Sequence, residues 1–188
     1  MIPTLPLGPR NRLAALILAA LSDAGARREL AALAGDRDLA KDWLGPDELH
    51  HSEALRERAR RATEGIATLP LGGAEPSLAA ALDAAAALHD AGLHFEVHEL
   101  LEPYWTRAGG EAKEVLQGLI QVAVGYQHLA NGNLRGASAL LEEGSRRLHV
   151  RMLGLDLEPF ARAVARSLAR LTDLKESGVP PFPRARKE

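Results

Sequence analysis

The sequence predicts an all-α protein: a multi-helix bundle with an N-terminal helical extension. Three observations lead there. Of the 188 residues, 46% are hydrophobic but only 4% aromatic, and much of the apolar share is Ala and Leu. Those residues lose little entropy in a helix and allow close helix packing. Runs of β-branched residues, which suit strands, are missing. Apolar positions recur at helical spacing between punctuating Gly, Pro and Asn residues. The length suffices for one well-cored domain, or a small domain with a helical appendage.

Each element follows from local signals. Residues 1–11 carry Pro3, Pro6, Pro9 and Gly8, which predicts an extended arm. A helix is expected from Arg12 to Ala34, with a break at Gly25, followed by a charged connector over 35–44. Gly45-Pro46-Asp47-Glu48 starts a second helix reaching Leu69, with acids where the helix dipole favours them. The Pro- and Gly-rich stretch Leu69–Pro76 separates this N-terminal helical pair (1–70) from a bundle over 71–177. An Ala-rich helix spans Ser77–His89, and Asp90-Ala91-Gly92 ends it. The next helix begins at Leu93, and Pro103 predicts a kink or looser turn near its end. After Gly109-Gly110, Lys113–Ala130 and Leu134–Leu148 form an αα-hairpin, with Asn131-Gly132 at the turn and Asn133 as cap. That pair superficially resembles one tetratricopeptide unit, but no further units stack on it in the sequence. A last helix is expected from Leu157 to Lys175, capped by Asp156 with Pro159 in its first turn. Residues 178–188 form a Pro-rich basic tail expected to lie over the surface or fray.

Composition also excludes functions. A net charge of -2 gives no electrostatic reason for a nucleic-acid partner or an anionic membrane. The absence of cysteine removes disulfides, thiolate metal sites and cysteine nucleophiles, so a metal must use His, carboxylate or amide oxygen. The apolar run Leu13–Leu21 is too short to span a bilayer, and Asp23 beside a small-residue stretch argues against a signal peptide. A cytoplasmic location is expected.

The unusual chemistry lies in Leu93–Trp105, LHFEVHELLEPYW. His94, His98 and Glu102 share one helical stripe, and Trp105 continues that face. A second polar set, Gln117, Gln121 and His128, occupies one face of the apolar helix at 113–130. Gly118 and Gly125 lie on the neighbouring stripe and permit close helix approach, so the two polar faces are expected to meet inside the bundle. Buried polar groups require partners, and facing stripes would supply them.

The blocks Phe95-Glu96-x-His98-Glu99-x-x-Glu102-x-x-Trp105, Leu116-Gln117-Gly118-Leu119-Ile120-Gln121-x-Ala123, His128, and Gly132-Asn133-x-x-Gly136-Ala137 resemble the bacterial and archaeal family called domain of unknown function 309. Its signature H-x-x-x-E-x-x-W is matched by His98, Glu102 and Trp105, and the resemblance covers about Leu78–Leu148. It implies an all-helical fold of unestablished function, with metal binding suggested by the motif.

Two readings of the site follow. In the first, His98, Glu102, Gln117, Gln121 and His128 satisfy one another as a buried polar cluster, serving helix register or a small-molecule ligand. In the second, His98, Glu102 and His128 hold a divalent metal ion and Glu99 acts as catalytic base of a hydrolase. Trp105 and Tyr104 are expected as core or pocket-wall aromatics. His94 is expected at the rim, and Glu96 points away from His98 on the helical wheel. The arginines from Arg56 to Arg61 alternate with Glu53, Glu57 and Glu64 as on a solvated face, as do His50 and His51 near the helix start. The N-terminal pair is expected to dock on the bundle or on another subunit of a homo-oligomer.

Overall fold

A computed structural model describes residues 4–73, 76–174 and 176–184. Helices dominate it, as expected: α1 (Leu7–Ala19), α2 (Ala24–Gly35), α3 (Arg37–Asp42), α4 (Ser52–Ile66), α5 (Leu78–Asp90), α6 (His94–Arg107), α7 (Gly110–Ala130), α8 (Leu134–Arg146) and α9 (Glu158–Leu168). Among the described residues the only sheet is a two-stranded hairpin of β1 (Arg151–Met152) and β2 (Leu155–Asp156). It turns through Leu153 at φ 49° and Gly154 at φ 76°. Strands of two residues are too short to produce a readable period in the sequence.

Helix boundaries moved for local reasons. The expected arm is helical from Leu7, because Pro9 falls in the first turn of α1, where its missing N–H goes unneeded. The long first helix breaks at Asp23 rather than Gly25. The Asp23 carboxylate accepts the Ala26 N–H at 2.6 Å and starts α2. Asp36 caps α3 in the same way through Asp38 and Leu39, turning the expected connector into a helix. Gly45-Pro46 does open a helical segment, first as a 3₁₀ turn over Pro46–His51 and then as α4. Pro103 sits on the exposed side of α6, which continues to Arg107. The last helix stops at Leu168, and 3₁₀ turns over Leu171–Asp173 and Glu176–Gly178 follow it.

One cluster of buried apolar side chains runs through the molecule, from Leu5 and Leu13 through Leu55, Leu101 and Tyr126 to Phe160 and Phe182. The N-terminal helices dock on the bundle, α1 against α6 and α4 against α5. Arg27 pins the linker by donating to the carbonyls of Leu69 and Pro70. The tail departs from expectation at Phe182, which is 2% exposed and packs on Phe160 and His89. A phenylalanine among prolines offers apolar area that burial against a helix recovers. The distal basic residues 185–188 lie outside the described residues.

Helices α7 and α8 make the closest approach. A Cβ on Gly125 would lie 2.7 Å from Leu141 Cγ, and one on Gly118 would lie 2.9 Å from Arg147 Cβ. Gly144 reciprocates from α8 against the Gly118 carbonyl at 2.8 Å. The glycines of α7 thus admit α8, not α6 as the sequence suggested.

Candidate functional site

Helix α6 places His98, Glu99 and Glu102 together. One ligating atom from each lies within 4.8 Å of the others. His98 Nδ1 is 3.5 Å from Glu99 Oε1, and His98 Nε2 is 3.7 Å from Glu102 Oε2. The (i, i+4) spacing of His98 and Glu102 stacks them one turn apart, and Glu99 flanks the imidazole from the adjacent position. The His98 and Glu102 side chains keep 29% and 52% of their exposure, so the trio is partly open to solvent. The Phe95 ring packs edge-on to His98, and Arg10 covers that same ring at 4.2 Å. Trp105 is partly buried one turn further on, with the Lys113 ammonium 5.0 Å from its ring centroid and a buried Nε1–H that has no partner among the described residues.

The second polar stripe does not join them. Gln121 accepts a hydrogen bond from Arg147 Nε at 3.1 Å, and His128 Nδ1 accepts from the Asn133 amide at 2.8 Å. Both partners lie at the ends of α8, because the glycines on α7 bring that helix close. Gln117 is partly buried and makes no side-chain hydrogen bond among the described residues. His128 is therefore absent from the group formed by His98 and Glu102. The expected mutual cluster of His98, Glu102, Gln117, Gln121 and His128 is corrected to two separate sets.

The buried polar chemistry lies elsewhere. Glu96, expected to point away from the site, is 0% exposed, and Arg58 Nη2 lies 2.9 Å from each of its carboxylate oxygens. Arg58, placed by the sequence on a solvated face, is 2% exposed. His94, expected at a rim, is 3% exposed, and neither of its ring nitrogens has a hydrogen-bond partner among the described residues. Its ring centroid lies 4.8 Å from that of His89 on α5, and Tyr126 flanks both. Burial first, then the neighbouring His89 and Arg58, pushes His94 well below the ordinary histidine range. Burial likewise lowers His89 to about 4, against the opposing hydrogen bond to the Pro180 carbonyl. Tyr126 is raised to about 12 by burial, opposed by its bond to Ser167.

The signal for these residues was present in the spacing. Arg58 shares its stripe with Leu55, Ala59, Ala62 and Ile66, all of them buried. Glu96 does the same among Leu93, Val97, Leu100 and Leu101. A charge on each of two otherwise apolar stripes marks a candidate buried pair.

Comparison with known proteins bears out the family resemblance. Residues 82–140 match the family described as Domain of unknown function (DUF309). That segment spans α6, α7 and part of α5 and α8, and so includes His89, His94, His98, Glu99, Glu102 and His128. No curated protein and no solved structure matches the chain.

Proposed function

On the premise that residues 82–140 match the DUF309 family, we propose that the chain is a helical binding protein whose α6 offers a divalent-cation site. His98, Glu99 and Glu102 would hold the ion. The observation that carries this reading is their convergence within 4.8 Å on a single helical turn. One imidazole nitrogen and two carboxylate oxygens form a donor set suited to zinc, manganese or iron. Partial exposure leaves coordination positions for water, as an incompletely caged ion requires.

Binding is favoured over hydrolysis. A hydrolase would need a base beyond its ligands, and the sequence supplied one by assigning His128 to the metal and Glu99 to proton transfer. With His128 bonded to Asn133 instead, Glu99 becomes the third ligand and no spare carboxylate remains in the trio. The ion would act as a structural or recognition element at the surface between α6 and the start of the chain.

Calorimetric titration of metal-stripped protein with zinc and with manganese chloride tests the reading. The expected result is one saturable site per chain, weakened at least tenfold by Glu102→Gln and by His98→Ala. Equal heats from wild type and both variants would end it.

A further inference from the structure

A cavity of about 180 Å³ lies beside the linker that joins α4 to α5, and His98, Glu99 and Glu102 take no part in its lining. Leu18, Leu21, Leu69 and Leu100 line it together with Ala80 and Ala84 of α5. The two alanines stand one turn apart on one face of the helix and end at Cβ, which leaves room that a longer side chain would fill. The linker around this space is fixed in place. Arg27 donates to the Leu69 carbonyl at 3.0 Å and to the Pro70 carbonyl at 3.3 Å. The Gly72 N–H donates to the Leu21 carbonyl at 2.8 Å, and the Tyr104 hydroxyl donates to the Pro76 carbonyl at 2.8 Å. These bonds hold the cavity open without a ligand, as small-molecule sites generally are.

The lining defines the occupant. Leu18, Leu21 and Leu69 stay partly exposed around the space, so apolar surface is left there for a ligand to bury. The linker carbonyls of Leu69, Pro70 and Pro76 already accept hydrogen bonds. None of the buried side-chain atoms that lack a partner among the described residues belongs to this lining, so no polar ligand group is called for. Ser22 and Asp83 are the polar side chains of the described lining, and both are exposed and remain hydrated. The charges about the site balance. Asp83 and the helix-capping Asp23 are matched by Arg27 on the linker and by Arg107 beside Tyr104, so neither sign of ligand charge is selected. Size sets the rest, since an apolar cavity of about 150 Å³ takes up a benzene ring. We propose that this cavity is a second ligand site, which takes a compact uncharged hydrocarbon group of one six-membered ring.

The site is independent of cation binding on α6, so the test runs on metal-stripped, full-length protein. Methyl ¹³C spectra of the leucines are recorded during titration with toluene and with benzoate, which keeps the ring but adds a carboxylate that an apolar wall cannot hydrate. The expected result is a saturable shift of Leu18, Leu21, Leu69 and Leu100 by toluene, with Leu116 and Leu141 unmoved and benzoate at least tenfold weaker. Ala80→Leu should abolish the toluene response by filling the space. Ala80 is exposed on its helix and Leu is a good helix former, so the fold should tolerate the change. If that variant fails to fold, the comparison of the two ligands on wild type decides alone. Shifts that never saturate, shifts spread equally over Leu116 and Leu141, or equal binding of benzoate would each overturn the proposal. So would an undiminished toluene response in a folded Ala80→Leu protein.

Discussion

Arg58 on α4 and Glu96 on α6 form an ion pair closed to solvent, tying the N-terminal helices to the helix that carries His98. Arg58 Nη2 sits 2.9 Å from both Glu96 oxygens, while Arg58 Nε is buried with no partner among the described residues. Removing one member leaves an uncompensated buried charge, which costs about 3–5 kcal/mol. Glu96→Gln should therefore lower unfolding stability in guanidinium chloride by about that amount. The double variant Arg58→Met/Glu96→Leu should recover most of the loss, because an apolar pair of similar volume carries no desolvation cost. A Glu96→Gln protein as stable as wild type would show that the charges are hydrated.

The α7–α8 contact depends on missing side chains. Gly125→Ala would bring a Cβ to 2.7 Å from Leu141 Cγ and 3.2 Å from the Leu141 backbone nitrogen. Overpacking of this kind costs about 1–3 kcal/mol. Gly8→Ala is the control, since nothing lies within 4 Å of that Cβ and α1 gains helix propensity. Thermal unfolding should show Gly125→Ala melting lower than wild type and Gly8→Ala melting level or higher.

The buried imidazoles make stability depend on pH. Burial holds His89 at about 4 and His94 well below the ordinary value of 6.5, so between those limits the unfolded chain binds more protons than the folded one. Stability is then fully present above pH 6.5 and falls as pH drops through the window toward 4, by about 1.4 kcal/mol per pH unit for each such group. Glu57, held at about 2 by its hydrogen bonds from Arg60 and Arg61, titrates below that window. Guanidinium chloride unfolding between pH 7.5 and 5 should show the fall, and His94→Leu should reduce its slope by about half. A flat profile in wild type would contradict the neutral, buried assignment.

Phe182 anchors the tail to the bundle. Truncating a phenylalanine buried this fully costs about 3–5 kcal/mol, and its ring also covers His89. Phe182→Ala should lower the melting temperature and speed hydrogen exchange at the end of α5. Unchanged exchange there would mean that the tail does not protect His89.

The helical class was legible because Ala/Leu composition and apolar spacing agree along the chain, and the His98–Glu102 spacing alone placed those two side chains on one turn. The partner of that turn was not legible. Gly118 and Gly125 announced a close helix contact, but glycine spacing does not say which helix approaches, and α8, joined to α7 by a short turn, fills the space. Charge pattern hid Arg58, because its neighbours Glu53, Glu57, Arg60 and Glu64 do form the exposed ion pairs the sequence suggested. His89 lies at the end of an Ala-rich helix, where a histidine reads as a favourable C-terminal charge. Its burial comes from Phe160 and Phe182, which are remote in sequence.

Histidine-ring ¹⁵N spectra of the metal-stripped protein during addition of zinc chloride test whether one turn of α6 makes a cation site. The expected result is a saturable shift of the His98 ring at one equivalent, with His128 unmoved and the response lost in Glu102→Gln. A shift of His128 together with His98, or no saturable change at His98, would contradict it.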